Sequence, residues 1–177
     1  MLRFFIGGRR NDAAAQSGTL AAVYDAHGAQ VYGYALALLG DVAEAEDVVQ
    51  DVFTKLCASG RLPKHPGRYL FRAARNGVYS RLRWRRVRIS KAGRLKHEAA
   101  FLQHRESPAA ATDLDYLERL LTALPPKQRE IVLLKTMHEM TFDAIAEILD
   151  VSPNTAASRY RYAIERLRRA MAAEELR

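Results

Sequence analysis

Residues Thr141 to Arg169 read TFDAIAEILDVSPNTAASRYRYAIERLRR, two short helical stretches joined by a tight turn, the second rich in arginine. This spacing predicts a helix-turn-helix, a unit that lays its second helix in the major groove of DNA. Ile145, Ala146 and Leu149 mark the buried face of the first helix, and small Ala146 lets the second helix cross closely. Asp150 falls at the turn, where the backbone needs positive φ; glycine fits best there and Asp is tolerated. Ser152 suits the N-cap of the second helix and Pro153 its first position. Ala156, Tyr160, Ala163, Ile164, Leu167 and Met171 recur at helical spacing and are expected to face inward. Asn154, Thr155, Ser158, Arg159, Arg161 and Tyr162 are left to face outward or sideways, as a DNA-reading set.

Charge along the chain points the same way. The 177 residues hold 28 Lys and Arg against 20 Asp and Glu, a net of +8 that favours an anionic partner. Residues 61–105 alone carry 14 basic groups and 1 acidic, while the stretches before and after are mildly acidic. One central segment therefore holds more than the whole positive excess.

The rest of the chain reads as helix. Thr19–Leu39 is apolar-periodic, with an expected interruption near Gly28 and a stop at Gly40. Asp41 caps a second helix, Val42 to about Cys57, and the loop ASGRLPKHPG opposes helix from Ala58 to Gly67. A third helix is expected from Arg68 to Val87. Residues 88–112 read as a linker, and Asp113–Ala123 and Pro125–His138 as helices leading into the helix-turn-helix. The expectation is an all-α protein: two small helical domains, 17–87 and 113–177, joined by a flexible linker, after a flexible leader at 1–16.

At 100° per residue, Leu70, Phe71, Ala74, Val78 and Leu82 gather on one side of the third helix. Arg68, Arg72, Arg75, Asn76, Tyr79, Arg83 and Arg86 fall on the other. Guanidinium groups so spaced repel one another unless something anionic lies along them, and phosphates suit their bidentate donors. Tyr69, Tyr79 and Trp84 lie within or beside this stripe, an arrangement suited to single-stranded nucleic acid, whose bases stack on exposed rings. The helix before it has the opposite sign. Glu44, Asp47, Gln50, Asp51 and Thr54 project from an apolar side made by Ala45, Val48, Val49, Val52, Phe53 and Leu56. An acidic face on a phosphate-seeking protein suits a basic protein partner.

Catalytic patterns are not found. The five histidines show no ligand spacing with cysteine or one another, no glycine-rich phosphate loop of the Walker type occurs, and the carboxylates lie on helix surfaces. A non-enzyme without cofactor or metal is expected. Cys57, the single cysteine, cannot form an internal disulfide and is expected to be buried, which fits a reducing cytoplasm. No apolar run approaches the ~18 residues that span a bilayer, so no membrane insertion is expected.

In order and spacing, these motifs resemble bacterial sigma factors of the extracytoplasmic-function group. AEAEDVVQDVFTKL (Ala43–Leu56) resembles region 2.2, which in that family docks on the clamp helices of RNA polymerase's largest subunit. YLFRAARNGVYSRLR (Tyr69–Arg83) resembles regions 2.3 and 2.4, which melt and read the −10 promoter element. LTALPPKQREIVLLK (Leu121–Lys135) with the helix-turn-helix resembles region 4, which reads the −35 element. The resemblance implies that Asp47, Gln50 and Asp51 bind core polymerase, with Glu44 and Thr54 on the same face. It implies that Arg72, Arg75, Asn76, Tyr79 and Arg83 hold the non-template strand, Asn76 matching a position that lines a base pocket, with Arg68 and Arg86 extending the stripe. Asn154, Thr155, Ser158, Arg159 and Arg161 would contact −35 bases and phosphates, Tyr162 beside them. Expected partners are thus core polymerase and promoter DNA, duplex and single-stranded; an anti-sigma factor is an open question. The alternative reading is a polymerase-independent helix-turn-helix regulator, which has no use for the acidic face.

Overall fold

The structure, a computed structural model, describes residues 19–92 and 113–175. Seven α-helices make up the described residues: α1 Leu20–Leu39, α2 Val42–Ala58, α3 Pro66–Ala92, α4 Asp113–Thr122, α5 Pro126–Val132, α6 Phe142–Leu149 and α7 Pro153–Glu175. A π-helical turn, Leu133–Met137, extends α5. The expected leader 1–16 and most of the expected linker, 93–112, lie outside the described residues.

Local chemistry sets the helix ends. Thr19 Oγ1 accepts from the Ala22 amide at 3.2 Å to start α1, and Asp41 Oδ1 accepts from the Glu44 amide at 2.9 Å to start α2. Gly40 closes α1 in the left-handed conformation (φ +66°), its amide donating to Leu36 O at 2.8 Å. The expected break near Gly28 does not occur, and α1 runs through it. A mid-helix glycine costs only about 1 kcal/mol, and here Gly28 is buried beneath the Tyr24 ring, 3.5 Å from where a Cβ would stand. The helix α3 starts at Pro66, earlier than expected, with proline at its first position, and continues past Val87 to Ala92.

The helices α1, α2 and α3 pack on one another around Val23, Val31, Tyr34, Val48, Val52, Leu70, Phe71 and Val78. In the second half, α5, α6 and α7 enclose Ile131, Leu134, Ile145, Ile148, Leu149, Ala156 and Ala163. The halves do not stand apart: α3 lies against α6 and α1 against α5, and one apolar cluster runs through both.

The helix-turn-helix follows its sequence signals. Asp150 adopts φ +55° at the turn, Ser152 Oγ accepts from the Thr155 amide at 3.1 Å, and α7 opens on Pro153. Ala156 and Ala163 are fully buried where the helices cross, and Tyr160 meets Phe142 edge-on. Two inward expectations are corrected. Met171 is 39% exposed, because α7 overruns the helices it packs on. Cys57 is exposed: one position beyond buried Leu56 the helix has turned by 100°, away from the core.

His138, just past the π-turn, packs its ring on Phe71 of α3 with 4.6 Å between centroids. Neither ring nitrogen has a hydrogen-bond partner among the described residues. Burial holds this imidazole down at about 4. The unfolded chain takes up the same proton near pH 6.5. Between those values the unfolded state binds more protons, so acidification favours unfolding, by on the order of 3 kcal/mol at pH 4. The wild-type chain should therefore lose more Tm between pH 6.5 and pH 4 than a His138→Phe chain, and equal losses would remove His138 as the cause.

Candidate nucleic-acid and polymerase interfaces

The long helix α3 presents four sides, and each meets a different environment. Leu70, Phe71, Ala74 and Val78 fill the core. A second side faces α2. There Arg81 reaches Asp51 at 3.2 Å and Asp47 at 3.9 Å, and Arg85 pairs with Glu44 at 2.8 Å while donating to the Leu39 carbonyl at 2.8 Å. Neither arginine belongs to the stripe expected from the sequence. They bind α3 to α2 and neutralise part of the acidic face. Asp47, Gln50, Asp51 and Thr54 nevertheless remain exposed along α2, whereas Glu44 is half-buried in its ion pair.

The third side is open. Arg72, Asn76, Arg83 and Arg86 are exposed in a row, with Tyr69 beside them and Trp84 standing 68% exposed farther along. A cationic ribbon with accessible rings is the arrangement that binds single-stranded nucleic acid through phosphates and stacked bases.

The fourth side of α3 is covered by the second half of the chain. Arg68 forks both oxygens of Glu147 on α6 at 2.8 Å. Arg75 Nε donates to Glu130 Oε1 at 3.1 Å and Tyr79 Oη to Glu130 Oε2 at 2.9 Å. Tyr34 of α1 adds a third donor, 2.6 Å from Glu130 Oε1. Glu130, on α5, is 1% exposed. Burial first, and then the Glu130 carboxylate, push both phenols up, so each keeps its proton and donates. Arg159 of α7 offsets part of that rise at Tyr79. The expected stripe is thus divided: Arg72, Asn76, Arg83 and Arg86 are free to meet a ligand, while Arg68, Arg75 and Tyr79 are engaged within the chain.

On the helix-turn-helix, Asn154, Thr155, Arg161 and Tyr162 are exposed, and Ser158 and Arg159 are half-buried. Thr155 is shared with the cap, its Oγ1 lying 2.8 Å from Ser152 Oγ. The Arg161 guanidinium lies over the Tyr162 ring at 5.6 Å from its centroid. Among the described residues, no group of three or more His, Cys, Asp or Glu side chains is placed to hold a metal. No helix among them is long and apolar enough to cross a membrane.

Two family models match this chain in sequence order. The model described as Sigma-70 region 2 matches residues 23–88, and that described as Sigma-70, region 4 matches residues 114–171. The chain belongs to the sigma-70 family, in its extracytoplasmic-function group. It is 29% identical over 160 residues to the ECF RNA polymerase sigma factor SigL of Mycobacterium tuberculosis, covering 88% of this chain and 90% of that protein. Among solved structures it is similar to the sigma factor RpoE of Bartonella quintana, crystallised with the anti-sigma factor NepR. That match has a TM-score of 0.65 at 25% identity, over 92% of this chain and 98% of that one. CnrH, solved with the cytosolic domain of CnrY, shares the fold with a TM-score of 0.63 at 23% identity, over 92% and 97% of the two chains. Region 2 thus covers α1 to α3 and region 4 covers α4 to α7, and the reading as a polymerase-independent regulator finds no support.

Proposed function

We propose that this sigma factor docks on core RNA polymerase through α2, holds the melted non-template strand along α3, and reads the −35 element with α7. The observation that carries this reading is the division of α3. It leaves a cationic, ring-flanked ribbon open to a strand, while the neighbouring α2 keeps Asp47, Gln50, Asp51 and Thr54 exposed for a basic partner. Glu44 belongs to the polymerase face through its backing of Arg85. Arg72, Arg83 and Arg86 take phosphates, Asn76 reads an extruded base, and Arg68, Arg75 and Tyr79 join them once freed from region 4. Extruding a base costs a few kcal/mol, which pocket contacts must offset. Asn154, Thr155, Ser158, Arg159, Arg161 and Tyr162 meet bases and phosphates of the −35 duplex.

The protein itself carries out no covalent chemistry, needs no cofactor and works in the cytoplasm, as two domains, the first ending with α3 at Ala92 and the second spanning 113–177, joined by the residues between them. Its solved relatives in complex with NepR and CnrY support an anti-sigma factor as a further class of partner. Run-off transcription on a genomic promoter library tests the whole reading. Purified core polymerase should initiate at a distinct set of promoters when this protein is added, and an unchanged transcript set would refute it.

The polymerase face carries its own prediction. Asp47→Ala with Asp51→Ala removes two exposed carboxylates and unpairs Arg81. Affinity for core polymerase should fall about tenfold or more, as two charge-assisted contacts are lost. Unaltered affinity in a titration with labelled protein would show that this face is idle.

A further inference from the structure

Arg81 stands on α3, the helix proposed to hold the melted strand, yet its side chain turns to α2. Its one hydrogen bond among the described residues runs from Nη2 to Asp51 Oδ2 at 3.2 Å, and the same nitrogen lies 3.9 Å from Asp47 Oδ2. Gly77, one turn earlier, opens the route. A Cβ there would stand 3.5 Å from both Val48 methyl groups of α2 and 3.6 Å from Arg81 Nη1. Anything longer than a methyl group would compete for that space, so the glycine lets α2 come close and lets the guanidinium fold back into the angle between the helices. Arg85 differs, because it donates to the Leu39 carbonyl as well as to Glu44 and so ties down the end of α1. Arg81 holds no backbone group among the described residues; its partners are the two carboxylates.

Asp47 and Asp51 are four residues apart on one face of α2, a spacing at which like charges repel. Both are exposed, whereas Arg81 is half-buried, so the cation lies deeper than either carboxylate. It meets Oδ2 of each, and neither Oδ1 has a partner among the described residues. A carboxylate accepts at about four sites, so one contact from the inner side leaves most of them free. We propose that Arg81 is a positioning residue for polymerase docking: it holds Asp47 and Asp51 side by side through their inner oxygens and leaves the outer ones open to basic side chains of core polymerase. Two carboxylates fixed in advance lose less freedom on docking than two that must be gathered against their own repulsion. The inference rests on the polymerase face proposed for α2.

The sign of the effect separates this role from plain charge. Removing a cation beside an acidic face strengthens its long-range pull on a basic partner, whereas removing a positioning residue weakens docking. In a titration of core polymerase with the full chain labelled at its N-terminus, Arg81→Met should bind about tenfold more weakly. Helix content and Tm should hold, because the pair it breaks lies at the surface. Arg81→Lys, which keeps the charge and loses the planar fork, should lie between. Asp47→Asn with Asp51→Asn should weaken docking too, and in that chain Arg81→Met should cost less than about twofold more, since nothing remains to be positioned. If Arg81→Met binds as tightly as the wild-type chain, or more tightly, while the Asn pair is weakened, the positioning role is overturned and the polymerase face stands. An equal loss from Arg81→Met in both backgrounds would overturn it as well, since the residue would then act through the fold or a contact of its own. Unaltered binding by the Asn pair would remove the polymerase face itself, and the role of Arg81 with it.

Discussion

Replacing Arg129 by methionine is expected to cost about 3–5 kcal/mol of stability, the largest single-residue loss in the molecule. The Arg129 side chain is buried beside Glu130, and it spends its donors on backbone carbonyls: Leu121 at 2.9 Å, Thr122 at 2.8 Å, Leu124 at 3.4 Å and Ala37 at 3.2 Å. Leu121 and Thr122 end α4, and Ala37 lies in the last turn of α1. Carbonyls there have no partner within their own helices. A cation also suits two helix C-termini, where the aligned peptide dipoles leave partial negative charge. Burial lowers the pKa of Arg129, but a guanidinium stays protonated in a protein and keeps all its donors. Methionine fills similar volume but removes all four of these donors; the Leu121 carbonyl keeps only its bond from the Leu124 amide at 3.2 Å. The loss is a large share of the 5–15 kcal/mol that holds a typical domain. Urea unfolding followed by circular dichroism measures it. Arg129→Lys, which keeps the charge and loses the planar fork, should lie between the two. A loss below about 1 kcal/mol for Arg129→Met would mean that water replaces the guanidinium at little cost.

The largest functional effect is expected on the open side of α3. Arg72→Ala, Asn76→Ala and Arg83→Ala together should lower transcription about a hundredfold or more while leaving affinity for core polymerase within about twofold. Phosphate and base contacts of this type are worth about 1–3 kcal/mol each, and each 1.4 kcal/mol is tenfold. All three residues are exposed, and their side chains make no hydrogen bond or ion pair to other described residues, so the fold should not suffer. Abortive and run-off transcription, paired with a core-binding titration, separates the two effects. Equal loss in both would contradict the division between α2 and α3.

The features legible in the sequence are those fixed by a few neighbouring residues. Asp41 before a helix, Asp150 and Ser152-Pro153 at the turn, and the apolar side of α3 stand in the structure as local chemistry predicts. The structure departs from the sequence where packing overrides a local signal, as at Gly28, where one step round a helix leaves the core, as at Cys57, or where a helix outruns its neighbours, as at Met171. The stripe on α3 was visible as a set of cations, but its division was not, because the residues that cover one edge lie far along the chain. Tyr34 and Glu130 are 96 residues apart. Periodicity gives the face of a helix and says nothing of which distant element lies against it. One signal was present nonetheless: Arg129 and Glu130 adjoin the apolar run Ile131–Leu134, where charged side chains must find partners.

Permanganate reactivity of thymines in a promoter found by run-off mapping tests the central claim most directly, since it reports unpaired bases. Core polymerase and this protein together should expose thymines around the −10 element, and neither should do so alone. Reactivity with core polymerase alone, or its absence when both are bound to the promoter, would contradict the account.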